Sequence, residues 1–468
     1  MTLASFLAFM LMFVAIGAAA MRRSRSTTAD YYAASKSIPP WLTALSAVAT
    51  NNSGYMFIGM IGLTWSEGLR SIWLMIGWIT GDLIGSLLAF RAVRHAAGRS
   101  SIETFPQLLS RWHGGAMPIL QRVSALLILA FLGAYAAAQL KAGGKALYAV
   151  FGWDLSSGAI LGAMIVLVYS MAGGIRASIW TDAAQSFVMI GAMGLLLWAG
   201  LDAAGGPSSA WAAFADVAPG WRDWRPADAW GPALAIVAGW LAAGLAVVGQ
   251  PHIVIRFMAV DDERSMTRVR IWYYSWFTLF YGATIGVGLL TRLILPPDGF
   301  DPELALPRMA MALLPDIAVG TILAGLFAAT ISTADSLVLA CSAALSADLT
   351  VRRPSLRIAK AATAGVVALA LAIALTDQQT VFRLVLVAWG LLGAAFGPLI
   401  LILGRGGAPR QGEALTVMGV GVAVFLGWRR LGLSAEIYEV LPAMAAGLLA
   451  WAIVRTARRL PLAGRLRR

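Results

Sequence analysis

The chain has 468 residues, of which 59% are hydrophobic and 13% charged, and its mean hydropathy is +0.76. That composition excludes a set of soluble domains and fits a polytopic membrane protein. The net charge of +13 invites a nucleic-acid reading, but the arginines lie in short clusters between apolar runs, and no nucleic-acid partner is expected.

The apolar runs are about 20 residues long, enough to cross a bilayer as helix. The alternating segments of about ten residues that a barrel requires do not dominate. Thirteen spans are predicted, at about 3–20, 40–65, 70–92, 120–149, 156–174, 182–203, 230–252, 272–296, 317–348, 357–376, 380–404, 413–428 and 437–456. Basic clusters follow the odd-numbered spans. Arg22, Arg23 and Arg25 follow the first, and Arg91, Arg94 and Arg99 the third. Arg256, Arg264, Arg268 and Arg270 follow the seventh, and Arg352, Arg353, Arg357 and Lys360 the ninth. Arg455, Arg458, Arg459, Arg465, Arg467 and Arg468 end the chain, whereas other loops carry Asp154, Asp301, Glu303 and Asp377. The positive-inside rule then puts the N-terminus outside and the C-terminus in the cytoplasm. Span one reads as an uncleaved anchor, because its arginines follow the apolar stretch where a signal peptide has them in front. A single cysteine, Cys341, excludes an internal disulfide.

Span two has a polar centre, Ala49-Thr50-Asn51-Asn52-Ser53-Gly54. Thr, Asn and Ser compete for backbone hydrogen bonds, and Gly accepts irregular dihedrals. Two readings stand: an unwound turn whose carbonyls face a cavity, or a helix contact lined by polar side chains. In span four, Lys141 and Lys145 read as snorkelling side chains. Asp182 opens span six and, taken alone, reads as an N-terminal carboxylate complementing the helix dipole. Span seven is punctuated by Gly239, Gly244 and Gly249, then Gln250-Pro251. Two interrupted helices five spans apart suggest inverted repeats. Residues 302–313 read as a short gate helix along the outer surface. Trp73, Trp180 and Trp428 fit interfacial belts.

Span nine carries Thr330, Ser332, Thr333, Asp335 and Ser336 at membrane depth. Ser332, Asp335 and Ser336 share one helical face, with Ala329 one turn before them. Such groups are costly in a membrane unless partnered, and a hard cation is one good partner for oxygen ligands. His95, His113 and His252 lie in or beside expected cytoplasmic loops, and no metal-ligand spacing appears, so an enzyme is not expected.

Four segments resemble the sodium/solute symporters, most closely the bacterial sodium/proline symporter branch. GGIRASIWTDAAQ (173–185) is similar to that family's Gly-Gly, Trp-Thr-Asp and Gln signature. GQPHIVIRFMAVDDERSM (249–266), AATISTADS (328–336) and WGLLGAAFGPLIL (389–401) resemble its proline-branch loop, sodium-binding helix and tenth core helix. The resemblance implies an all-α LeuT-type core of two inverted five-helix repeats, 40–203 and 230–404. Residues 1–39 would add one helix and a basic loop, 204–229 an external loop, and 405–468 two further helices and a basic tail. It implies a multi-pass protein of the bacterial inner membrane, monomeric or weakly oligomeric, in contact with lipid, with sodium as coupling ion and no organic cofactor. Its activity would be sodium-driven uptake of a small organic solute by alternating access: an amino acid such as proline, a related carboxylate or another solute.

Carried over by position, the resemblance implies a sodium site formed by the carbonyls of Ala49, Asn52 and Ala329 with the side chains of Ser332 and Thr333. It implies a second cation site at Asp182, Ser332, Asp335 and Ser336, where Asp335 replaces the usual serine. Two carboxylates there would hold an ion strongly, or let a proton take its place. Solute contacts would come from Ser53, Gly54, Tyr55, Tyr135, Gln139 and the region of Gly244. Asn51 stands where proline transporters carry aspartate, and Ala243 and Val247 where they carry pocket aromatics, so the solute need not be proline. Two rivals remain: a proton-coupled or sodium-independent transporter on the same fold, and the membrane input module of a sensory system.

Overall fold

A computed structural model describes residues 1–21, 27–99, 102–218, 220–295, 299, 301–350, 355–376 and 380–459. The expected basic residues Arg22, Arg23, Arg25, Arg352, Arg353, Arg465, Arg467 and Arg468, and also Asp377, lie outside these. The described chain is helical, and its β pairing there is a single isolated bridge between Ile38 and Val260.

Helix α1 (Thr2–Met21) is followed by the short α2 (Thr28–Ala33), capped by Thr27, and by α3 (Pro40–Asn51), which has proline in its first turn. At Asn52 the dihedrals leave the helix (φ −89°, ψ 64°), and a wide turn over Tyr55–Met60 restores it as α4 (Ile61–Glu67). The structure combines the two readings of span two: the helix breaks at Asn52, and the carbonyls of Ala49 and Thr50 meet polar side chains of another helix.

Gly68, at φ +72°, reverses the chain against the Trp221 backbone into α5 (Ile72–Gly85). That helix continues through Ser86–Phe90 to α6 (Arg91–Arg99). Next come α7 (Phe105–Arg111), α8 (Pro118–Phe151) and α9 (Leu155–Ala203). Gly174 divides α9 at φ +57°, where a side chain would meet the backbone and ring of Tyr31.

The second half begins with α10 (Pro207–Val217) and α11 (Trp230–Leu245), followed by a tight turn at Ala246–Gly249 and α12 (Pro251–Met258). Then follow α13 (Met266–Ile294), α14 (Ala305–Leu313) and α15 (Asp316–Ala343). The chain closes with α16 (Leu356–Thr376), α17 (Val381–Gly404), α18 (Gln411–Arg430) and α19 (Val440–Arg459).

Among the described residues, eleven helices are long and apolar enough to cross a membrane, against thirteen expected spans. The difference lies at two places. The first half of span two is only twelve residues long, and the apolar helix Leu155–Val168 is also short. Helix α15 is the axis of the molecule, buried from Ile322 to Ala344 against α9, α8, α1 and α3. Glycines let other helices approach: Gly81 meets the Leu241 backbone, and Gly244 meets the carbonyl of Trp78.

Several local expectations are corrected. Residues 302–313 do not merely lie on a surface, for Glu303, Leu306, Pro307 and Met309 are buried. Lys145 does not snorkel. It pairs with Asp301 at 2.6 Å and with Glu303, and Glu303 in turn accepts the backbone N–H of Phe382 at 3.0 Å. Trp73 stacks on Trp224, while Arg70 binds Asp223 (3.0 Å) and Asp228 (3.1 Å), so the loop after α10 straps the junction of α4 and α5.

Candidate functional site

The break in span two faces α15. The Ser332 hydroxyl donates to the Ala49 carbonyl at 3.3 Å and the Thr333 hydroxyl to the Thr50 carbonyl at 2.9 Å. Both hydroxyls also reach the Ala329 carbonyl, each at 3.1 Å. Four of the five expected sodium-site residues therefore meet at one point, and the Thr50 carbonyl joins them. Asn52 adjoins them at the break, where its backbone N–H and side-chain amide both donate to the Val48 carbonyl, each at 2.9 Å. Carbonyls freed from a helix and hydroxyls that can turn their lone pairs inward form a donor set suited to a small hard cation.

A second cluster lies beside it. Ser178 donates to Asp335 at 3.0 Å and approaches Asp182 at 3.4 Å, and Ser336 donates to Asp335 at 3.0 Å. The expected trio of Asp182, Asp335 and Ser336 is thus assembled. Asp182 is not the N-terminal carboxylate that its sequence suggested. It lies eight residues beyond the kink of α9, fully buried, and accepts from Ser46 at 2.7 Å.

Between these groups sits the Arg256 side chain, only 1% exposed. Its guanidinium pairs with Asp182 at 2.9 Å and donates to Ser46, Ser178, Ser336 and the His252 carbonyl. The sequence reading put Arg256 in a basic cytoplasmic loop, and that is wrong. The apolar residues around it make α12 a buried helix, and one arginine among them faces two carboxylates. Arg256 neutralises one of the two, so the pair does not require two external cations.

Around the other side of the break, side chains close a circuit. Tyr135 donates to Ser53 at 3.3 Å and packs edge-on to His252, with ring centroids 5.7 Å apart. His252 approaches Trp389 at 6.5 Å, Trp389 approaches Trp78 at 5.0 Å, and Trp78 stacks on Tyr55 at 5.7 Å. Tyr55 returns to Ser53 through its backbone N–H, 3.2 Å from the serine hydroxyl. Gln139 accepts the Gly54 N–H at 3.0 Å. Five of the six expected solute contacts are therefore together. Gly244 adjoins them through the backbone: it packs on the Trp78 carbonyl, and its neighbour Ala243 accepts the Trp389 indole N–H at 2.8 Å.

Buried polar atoms without a hydrogen-bond partner gather in the same region. They include Nε2 of Gln139, Oδ1 of Asn52 and both ring nitrogens of His252. Such atoms are costly unless something else satisfies them. Sequence reasoning missed His252 and Trp389. The signal was available for His252, a lone histidine directly after the Gln250-Pro251 break, but it was assigned to a loop. Above this circuit, Phe382 stacks on Tyr55 at 5.5 Å and floors a cavity of about 600 Å³ lined by Trp240, Arg383, Arg429, Tyr438 and Glu439.

Comparison with known proteins follows the same lines. The model of the sodium:solute symporter family matches residues 31–403. The chain is similar to the high-affinity proline transporter PutP of Bacillus subtilis (strain 168), 30% identical over 448 residues and covering 93% of each chain. It is also similar to the sodium/proline symporter of Salmonella typhimurium, 27% identical over 463 residues, covering 96% of this chain and 91% of that one. Among solved structures, a Na⁺-coupled sialic acid symporter in its substrate-bound outward-open state superposes with a TM-score of 0.81 at 19% identity, covering 97% of this chain and 98% of that one. Mhp1, a nucleobase-cation-symport-1 family transporter in a closed conformation, gives 0.58 at 17% identity, covering 93% and 96%. These two likenesses bear on the fold, which is of the LeuT type.

Proposed function

Since the chain belongs to the sodium:solute symporter family, we propose that its sodium-coupled solute symport runs through the break of span two and the hydroxyl turn of α15. The observation that carries this reading is the pair of contacts from Ser332 and Thr333 to the carbonyls of Ala49 and Thr50. Sodium entering from outside replaces these hydrogen bonds with ligand bonds from the carbonyls of Ala49, Asn52 and Ala329 and the two hydroxyls. The ion thereby ties α3 to α15.

The solute binds between Ser53, Tyr55, Tyr135, Gln139, His252 and Trp389, having passed the cavity above Phe382. It is a small polar organic molecule, with proline, related amino acids and carboxylates as the first candidates. Sodium and solute tighten each other to the same degree, as reciprocity of coupling demands. Rocking of the two repeats, 40–203 against 230–404, then opens the site to the cytoplasm. The N-terminus lies outside and the C-terminus inside, in the plasma membrane of a bacterium. Each inward sodium charge gains about 2.3 kcal/mol per 100 mV of inside-negative potential, which sustains roughly a fortyfold solute gradient.

The test is uptake of a radiolabelled solute panel, proline included, into proteoliposomes with and without an inward sodium gradient. Uptake that requires sodium at every pH supports the reading. Full uptake in sodium-free buffer overturns it.

A further inference from the structure

Asp82 is a buried carboxylate that the sodium and solute sites leave unexplained. It lies in the last turn of α5, fully buried, with no cationic side chain on it among the described residues. Its partners are three neutral donors. The Tyr274 hydroxyl donates to Oδ1 at 2.7 Å, and the Tyr273 hydroxyl and the Asn51 Nδ2 donate to Oδ2 at 3.0 and 3.1 Å. Asn51 Nδ2 also lies 2.6 Å from the Tyr273 hydroxyl, while Asn51 Oδ1 is buried with no partner. Asn51 is the last residue of α3, at the edge of the break. The carboxylate therefore faces the negative end of a helix dipole, in a place where an unpaired charge is costly.

The remaining surroundings supply no counter-charge. Helix α11 packs on α5 with Trp240, Leu241, Gly244 and Leu245, and the turn after it brings Val247 and Val248. On α13, Tyr273 and Tyr274 face Asp82, while Arg270, a turn away, is held by Ser86. The four polar groups already touch at hydrogen-bond distance, so an ion of sodium's size would have to push them apart. A proton needs no space.

We propose that Asp82 is a proton-binding site joined to the break through its contact with Asn51. With Asp82 charged, Asn51 Nδ2 donates to it and to the Tyr273 oxygen. With a proton on Oδ1, Asp82 donates to the Tyr274 oxygen, whose own hydrogen turns toward Ser86, and the Asn51 amide keeps its orientation, since turned over it would leave both its N–H hydrogens without an acceptor among the described residues. The transporter then carries a proton site on the opposite face of the break from Ser332. Its influence on sodium rests on the reading above, because Asn51 lies between Ala49 and Asn52.

Infrared spectra of the full-length protein in detergent, without sodium, test the site directly. The spectrum of wild type minus Asp82→Asn should show the band of a neutral buried carboxyl at mildly acidic pH, giving way to a carboxylate band as pH rises. Tyr274→Phe, which retains the carboxyl but removes one donor, should move that transition. A carboxylate band already present at mildly acidic pH, a neutral band that never yields, or a transition unmoved in Tyr274→Phe would overturn the proposal. Binding of radioactive sodium then separates the two readings. Absence of binding at any pH sinks the sodium site and leaves the infrared result standing. A pH dependence of sodium binding that is lost in Asp82→Asn ties the two together.

Discussion

Arg256 donates to Asp182 across 2.9 Å, and neither side chain reaches solvent. One residue comes from α12 and the other from α9, so the pair clamps the two halves of the chain beside the hydroxyl turn of α15. A buried pair is not in itself a large net stabiliser, but breaking it leaves a lone charge. Replacing Arg256 with Leu should cost about 3–5 kcal/mol, and replacing both Arg256 and Asp182 with apolar residues should recover part of that. Melting in detergent checks both variants. A single variant that melts like wild type would mean the guanidinium is not needed to neutralise Asp182.

On the proposed sodium site, Ser332→Ala and Thr333→Ala would each remove one ligand from the cation. A hydrogen bond or equivalent contact to a charged group is worth about 1.5–3 kcal/mol, so the sodium concentration for half-saturation should rise roughly ten- to a hundredfold. Thr333→Ser keeps the hydroxyl and should stay near wild type. Sodium binding to the purified protein gives the numbers, and unchanged affinity in both alanine variants would remove the site from α15.

His252→Phe keeps the ring packing on Tyr135 and Trp389 but loses the two nitrogens. If these meet the solute, uptake should fall at least about tenfold, the loss of roughly one good hydrogen bond, while sodium binding is retained. Equal uptake in the variant would make His252 a packing residue.

Gly174→Ala places a methyl group against Tyr31 at a left-handed dihedral. Strain of this kind costs about 1–3 kcal/mol, and the clash adds to it. The variant should melt below wild type, and a neutral result would show that the kink relaxes freely.

The strap from Arg70 to Asp223 should resist acid. Hydrogen bonds from Arg225 and then Arg70 hold the Asp223 carboxyl well below the usual carboxylate range. A carboxyl lowered in this way stabilises the folded form above its unfolded value of about 3.9. The contribution is lost only as pH falls through the lower folded value. Between about pH 8 and pH 5 the strap should therefore stay closed. Spin labels on cysteines introduced at Glu67 and Pro226, with Cys341→Ser, report the distance, and opening by pH 5 would contradict the assignment.

The membrane character, most helices and the polar turn of α15 were legible because they rest on local properties: run length, apolar content and the cost of hydroxyls in lipid. Inverted repeats were suggested only by the spacing of two interruptions. Lys145 and Arg256 were misread for one reason. A basic residue near the end of an apolar run has the same local signature whether it reaches for water or for a buried acid. Lys145 found Glu303, 158 residues away in sequence, and Arg256 found Asp182, 74 residues away. No local pattern carries such pairings.

The amino-acid order by itself determined that this chain crosses a membrane many times and that Asn52 and Ser332 lie within apolar runs where polar atoms need partners. Each follows from the hydration cost of one segment. Only the packing of distant helices decided which partners those atoms have: that Ala49 and Thr50 meet α15, that His252 is enclosed by aromatic rings, and that Asp82 touches Asn51 with no cationic side chain beside it among the described residues. A helix face can advertise an unmet need, but the group that meets it is supplied by whichever other helix the fold sets against it.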